Sequence, residues 1–152
     1  MRWSAEVDGR LVECDVPGNA SLAEALRGGA ENTAVKVACG EGICGACSCL
    51  VAGERVHGCI YPAFRAYGQV IQTAASFADG PVARALVEAG GVQCGFCTPG
   101  MVVAVHSLST DVPATEAGIR HALAGNLCRC TGYAGLVAGA VAGLQRLRAG
   151  EP

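Results

Sequence analysis

Ten cysteines stand in a chain of 152 residues, and eight of them fall into two spaced sets. The first set is Cys39-x4-Cys44-x2-Cys47, followed after eleven intervening residues by Cys59. A C-x4-C-x2-C run with a distal fourth cysteine is the plant-type spacing for a [2Fe–2S] cluster. Gly40, Gly42 and Gly45 are interleaved with these thiols. Such glycines let a backbone take the positive φ angles needed to wrap tightly, so that its amides point at sulfur. Hydrogen bonds of that kind stabilise a negative cluster and tune its potential.

The second set is Cys94-x2-Cys97 with Cys128-x-Cys130. Each pair lies at an expected helix junction, where free amides and the positive dipole end suit thiolates. Two such pairs facing each other would close one four-thiolate site. On spacing alone this second site is open to iron or to zinc, which accepts four cysteines as readily. A disulfide framework is the weaker alternative, because no export signal is visible. His57, His106 and His121 show none of the pairing with cysteine that a Rieske centre needs and read as ordinary core or surface residues. Cys14, on the inward side of an alternating strand, and Cys49 read as small buried hydrophobes. Cys49 is close enough to stand in for Cys47, but the x2 spacing favours Cys47.

The elements that must position these thiols change period halfway along the chain. Trp3, Ala5 and Val7 alternate, Asp8-Gly9 is a two-residue hairpin turn, and Val12, Cys14 and Val16 alternate again. Ser21-Leu22-Ala23-Glu24 forms a capping box ahead of a short helix ending at Gly28-Gly29. Ser48 to Ala52 and Arg55 to Gly58 make a second hairpin turning at Gly53-Glu54, and a last strand covers Val70 to Thr73. Two hairpins around one helix outline a β-grasp. After Ala74 to Gly80 the apolar spacing becomes helical. Pro81 opens a helix carrying Val82, Ala85, Leu86 and Ala89. Thr98 caps a second, with Pro99 at its first position and Val102, Val105 and Leu108 along it. Thr115 caps a third that runs to Ala124, and Leu136, Val137, Ala140, Val141 and Leu144 mark a fourth. The expected class is therefore α+β, with a β-grasp domain over 1–76 and a helical domain over 77–152.

The bulk numbers agree with a carrier and exclude other classes. With 11 basic and 13 acidic residues the net charge is −2, which offers no nucleic-acid surface. No apolar stretch reaches the roughly 20 residues of a membrane span. Glu6 and Asp8 break up any signal-peptide pattern, so the expected location is cytoplasmic, where metal is the better reading of clustered thiols. Charged residues are 16% of the chain against roughly 25% in a typical domain. Such a chain either buries surface against partner subunits or is simply rich in alanine and glycine.

Three motifs carry a family resemblance: Cys39-Gly-Glu-Gly-Ile-Cys44-Gly-Ala-Cys47, Gln93-Cys94-Gly-Phe-Cys97-Thr-Pro-Gly-Met101 and Asn126-Leu-Cys128-Arg-Cys130-Thr-Gly-Tyr133. Together they closely resemble the iron–sulfur subunit of molybdenum hydroxylases, the xanthine dehydrogenase, aldehyde oxidoreductase and carbon monoxide dehydrogenase family. The resemblance extends from the first strand to beyond Tyr133 and implies iron, not zinc, at the second site. It implies a plant-type ferredoxin-like β-grasp followed by a four-helix domain, each with one [2Fe–2S] cluster. It also implies a hetero-oligomer with a molybdopterin-binding large subunit and an FAD-binding medium subunit, arranged for instance as a dimer of heterotrimers. Electrons would pass from molybdenum to the cluster of Cys94, Cys97, Cys128 and Cys130, then to that of Cys39, Cys44, Cys47 and Cys59, then to FAD. Gln93 and Cys130 match positions that contact the pterin in similar proteins, although an amide such as Gln93 often does no more than bond its own loop. The substrate so implied for the whole enzyme is a purine or other N-heterocycle, with aldehydes and carbon monoxide as alternatives. No substrate-transforming site is expected on this chain, whose role is that of an oxidoreductase subunit. A free-standing two-cluster ferredoxin is the alternative class. Departures from the family pattern are Ser48-Cys49, where a threonine and an aliphatic residue are usual, and Gly118 in place of an acidic residue in the capping box of the third helix.

Overall fold

The computed structural model describes residues 1–108 and 110–151, so Pro152, the end of the expected helical domain, lies outside the described residues. Strands β1 (Arg2–Val7) and β2 (Arg10–Asp15) pair antiparallel about Asp8-Gly9. Both turn residues have positive φ, 49° and 78°, as a two-residue turn matching the strand twist requires. Strands β3 (Ser48–Val51), β4 (Glu54–His57) and β5 (Val70–Gln72) complete one sheet in the order β2-β1-β5-β3-β4, with β1 and β5 parallel. The second hairpin turns at Ala52-Gly53, one residue earlier than expected, with φ of 50° and 84° at these positions. Ser48 to Val51 are all buried, so the strand has no exposed face to anchor its register, and the left-handed glycine governs the turn instead.

Ser21 caps α1 (Leu22–Glu24) in a reciprocal box: its hydroxyl accepts from the Glu24 amide, and the Glu24 carboxylate accepts from the Ser21 amide at 2.7 Å. The helix then continues as a π-helical turn through Ala25–Gly29, a widening invisible to a 3.6-residue reading. It buries Leu22, Ala23, Ala25 and Leu26 against Trp3, Val7 and Ile71, making the first core.

The helical half holds α2 (Pro81–Glu88), α3 (Thr98–His106), α4 (Glu116–Ala122) and α5 (Ala134–Arg148). Pro81 opens α2 and Thr115 caps α4, as expected, the Thr115 hydroxyl accepting from Gly118 N. Four boundaries differ. Cys97, not Thr98, occupies the cap of α3, and Thr98 is already helical. That helix ends at His106, short of Leu108, and α4 ends at Ala122 instead of Ala124. Ala89 lies beyond the end of α2 and is exposed. Met101 to Val105 are all buried, so α3 is apolar around its whole circumference and runs through the middle of the second core. The two cores meet at Leu50, which leaves the first sheet's strand β3 to pack among Met101, Val102 and Phe77.

Candidate metal centres

All ten cysteines are free thiols. In the loop before β3, Gly40, Gly42 and Gly45 have φ of 71°, 73° and 71°. This curl aims three amides, those of Glu41, Ile43 and Cys44, at Cys39 Sγ from 3.4, 3.4 and 3.5 Å. Those amide hydrogen bonds, from Glu41 above all, hold the Cys39 thiol down at about 6. Cys47 is buried at the base of the loop, and burial pushes it up to about 11 even though the Cys59 amide reaches its sulfur at 3.5 Å. His57 in β4 meets the Gly42 carbonyl through Nδ1 at 2.5 Å and braces the outer side of the curl.

The second set is assembled from two loops. Cys94 and Cys97 lead into α3, while Cys128 and Cys130 lie between α4 and α5. Burial pushes Cys97 up to about 12. Burial also opposes ionisation of Cys128, but hydrogen bonds from the Thr131 hydroxyl, at 3.2 Å, and from the Thr131 and Cys130 backbone bring it down to about 7. Tyr133 stands at φ 70° before α5 and turns its hydroxyl back to accept from the Cys128 amide at 2.8 Å.

The thiols of both sets meet in twos. Cys39 Sγ accepts from the Cys44 amide and Cys47 Sγ from the Cys59 amide, both at 3.5 Å, Cys97 and Cys128 are hydrogen-bond partners, and Cys130 Sγ lies 3.6 Å from Cys94 Sγ. Among the described residues, no three His, Cys, Asp or Glu side chains converge as ligands to a single ion. Four thiols in two pairs suit a two-iron cluster, in which each iron takes two thiolates, better than one tetrahedral zinc. The donor chemistry fits as well, since thiolates and sulfur-directed amides are what such a cluster requires.

Cys49 is fully buried, and burial raises it to about 12, so it is core as expected. Cys14 is partly buried and packs under Gly29, where a Cβ would meet its Sγ at 2.2 Å. His106 stacks on Phe77 with ring centroids 3.8 Å apart. Gln93 is exposed and bonds nothing within the described residues, so it does not brace its own loop. It directly precedes Cys94, which with Cys130 is one of the two exposed thiols of the eight. Ile43, Ile60, Phe96 and Leu127 are also at least 45% exposed around the two loops, an apolar rim where the low charge content called for one. Thr131, Tyr133, His57 and Gly100 were given no role by spacing. A hydroxyl three residues beyond Cys128 was the available signal.

Two family models match the chain: a 2Fe-2S iron-sulfur cluster binding domain over residues 5–72 and a [2Fe-2S] binding domain over 70–141. The nicotine 6-hydroxylase small subunit of Paenarthrobacter nicotinovorans is 38% identical over 136 residues, covering 87% of this chain and 82% of that protein. The xanthine dehydrogenase iron-sulfur-binding subunit of Escherichia coli O157:H7 is 45% identical over 106 residues, 65% of this chain and 67% of that one. In the crystal structure of quinoline 2-oxidoreductase from Pseudomonas putida 86, one chain superposes with a TM-score of 0.89 at 32% identity, covering 100% of this chain and 98% of that one. With both cluster domains matched and relatives of this similarity along nearly its whole length, the chain belongs to the iron–sulfur subunits of the molybdenum hydroxylases, which transfer electrons through two [2Fe–2S] clusters.

Proposed function

We propose that Cys39, Cys44, Cys47 and Cys59 hold one [2Fe–2S] cluster and Cys94, Cys97, Cys128 and Cys130 the other. When bound, each cluster stores and passes one electron at a time. The chain's own residues set where that happens. Gly40, Gly42 and Gly45 aim amides at Cys39, Thr131 and Tyr133 orient Cys128, and the burial of Cys47 and partial burial of Cys97 limit water on the inner side of each site. The observation that carries the reading is the meeting of all eight thiols in four pairs, two pairs per loop system.

The exposed edge at Cys94 and Cys130, with Gln93 free beside it, is where electrons enter from a molybdopterin-binding large subunit. Gln93 and Cys130 face the pterin there. Electrons continue to the β-grasp cluster and leave to FAD on a medium subunit, within a hetero-oligomer such as a dimer of heterotrimers. The domains divide as 1–76 and 77–152, with Phe77 the first side chain after the boundary to enter the second core. Quinoline, nicotine and xanthine in the names of similar proteins support a purine or other N-heterocycle as substrate of the whole enzyme, and the compartment is the cytoplasm.

Metal analysis and spectroscopy test the ligand assignment. The purified complex should carry about four iron and four acid-labile sulfide per copy of this chain, as two four-thiolate [2Fe–2S] sites require. In Cys97→Ser the helical-domain signal should be lost from the electron paramagnetic resonance spectrum while the β-grasp signal persists. A wild-type protein carrying zinc, or loss of both signals from a folded Cys97→Ser protein, would overturn it.

A further inference from the structure

The two candidate cluster loops do not rest on each other through ordinary side-chain packing. A Cβ placed on Gly100, in the first turn of α3, would lie 2.2 Å from the Gly45 carbonyl oxygen. One placed on Gly45 would lie 2.5 Å from Asn126 Nδ2 and 2.7 Å from the Gly125 carbonyl. Backbone therefore meets backbone where Gly45, between Cys44 and Cys47, approaches Gly100, three residues past Cys97. The side chain that reaches across this junction is Asn126, two residues before Cys128 and only 3% exposed, beside the buried Ser48 hydroxyl, which donates to the Gly45 carbonyl at 2.8 Å from within the first loop. Its Nδ2 donates to the Gly45 carbonyl at 3.4 Å and to the Gly100 carbonyl at 3.3 Å. Its backbone is held in turn: the Asn126 amide donates to Leu123 O at 2.9 Å, and the Asn126 carbonyl accepts from the Tyr133 hydroxyl at 3.3 Å. The next residue, Leu127, donates its amide to the Cys44 carbonyl at 2.9 Å.

We infer that Asn126 is a positioning residue that fixes the separation and orientation of the two clusters by clamping three ligand-bearing segments with one buried amide. This rests on the ligand assignment above. The amide suits the role because both partners are carbonyls, which need donors. A primary amide offers two N–H groups on one nitrogen, and it brings no charge into a buried junction. Alanine there removes the donor that joins the two carbonyls and leaves a gap between loops, while Ser48 alone continues to donate to the Gly45 carbonyl. Aspartate keeps the shape but turns an acceptor toward two acceptors, so its effect separates hydrogen bonding from volume.

The test uses the complex with its partner subunits, fully reduced so that both clusters are paramagnetic, and reads the spin–spin splitting between them, which depends on their distance and orientation. Asn126→Ala should retain iron and sulfide but show a changed splitting, and Asn126→Asp a larger change. Tyr133→Phe, which removes the hydrogen bond to the Asn126 carbonyl together with that from the Cys128 amide, should shift the splitting in the same sense by less. Wild-type splitting in loaded Asn126→Ala and Asn126→Asp, even with a lowered melting temperature, overturns the inference, because a residue that only supports the fold would leave the coupling unmoved. If the Asn126 variants fail to load, a wild-type splitting in loaded Tyr133→Phe overturns it. A wild-type complex without about four iron per chain removes the ligand assignment and this inference together, which sets that failure apart from a loaded protein with unchanged splitting.

Discussion

Thr131 shows how much of a cluster's chemistry lies one residue outside its ligands. Its hydroxyl donates to Cys128 Sγ at 3.2 Å and accepts from the Tyr133 amide at 3.2 Å, so it is held in place while it faces the sulfur. A donor on a cluster sulfur favours the reduced, more negative state and so raises the potential. Thr131→Val removes the donor at constant shape. If reduction strengthens the bond by about 1 kcal/mol, the helical-domain cluster should fall by about 40 mV at one electron, with the β-grasp cluster unmoved. Potentiometric titration followed by electron paramagnetic resonance reads both values, and an unchanged helical-domain potential would refute the role. The eight thiols proposed as ligands were legible because such a set leaves its spacing in the chain. Thr131 and Asn126 were not, because a single hydroxyl or amide acquires its meaning only from what the fold brings to it.

At the scale of elements, most capping residues and turns were readable, the Thr98 cap and the exact place of the second hairpin turn excepted, and packing between helices was not. The Ser21–Glu24 box, the Asp8-Gly9 turn, Gly80-Pro81 and Thr115 all act where their chemistry placed them, since each works within a few residues of itself. The π-turn after Glu24 and the early end of α3 escaped because tertiary contacts decide them. Helix α5 is the clearest case. Gly135, Gly139 and Gly143 recur every four residues, a pattern that propensity alone counts as weakness in a helix. In the fold they form one stripe against α2. A Cβ on them would meet Ala89 O at 2.5 Å, Leu86 Cα at 2.8 Å and Val82 Cα at 2.8 Å. The stripe lets the two helices approach backbone to backbone. Gly139→Ala should therefore destabilise the helical domain by about 1–3 kcal/mol, the usual cost of overpacking, although alanine is the better helix former. Denaturant unfolding followed by circular dichroism measures it, and a stabilised variant would show that the close approach is not needed.

The whole molecule joins two cores that either half of the sequence describes separately. The period changes near Ala74, one family model matches residues 5–72 and another matches 70–141. What the pattern did not show is that Leu50, on a strand of the first half, is 5% exposed within the second core, against Met101 and Val102 of α3. Strand β3 is thus buried on both faces, Cys49 and Val51 toward the first core and Leu50 toward the second. The same strand begins directly after Cys47, so the helical domain leans on the element that ends the first cluster loop. Truncating a buried leucine to alanine costs about 2–5 kcal/mol, and here the loss falls on the contact between cores instead of inside one of them. Leu50→Ala should consequently uncouple the halves: the visible absorbance of the clusters should be lost in one thermal transition in the wild type and in two in the variant. A single transition merely shifted to lower temperature would mean that the junction at Gly45, Gly100 and Asn126 suffices to keep the two domains one cooperative unit.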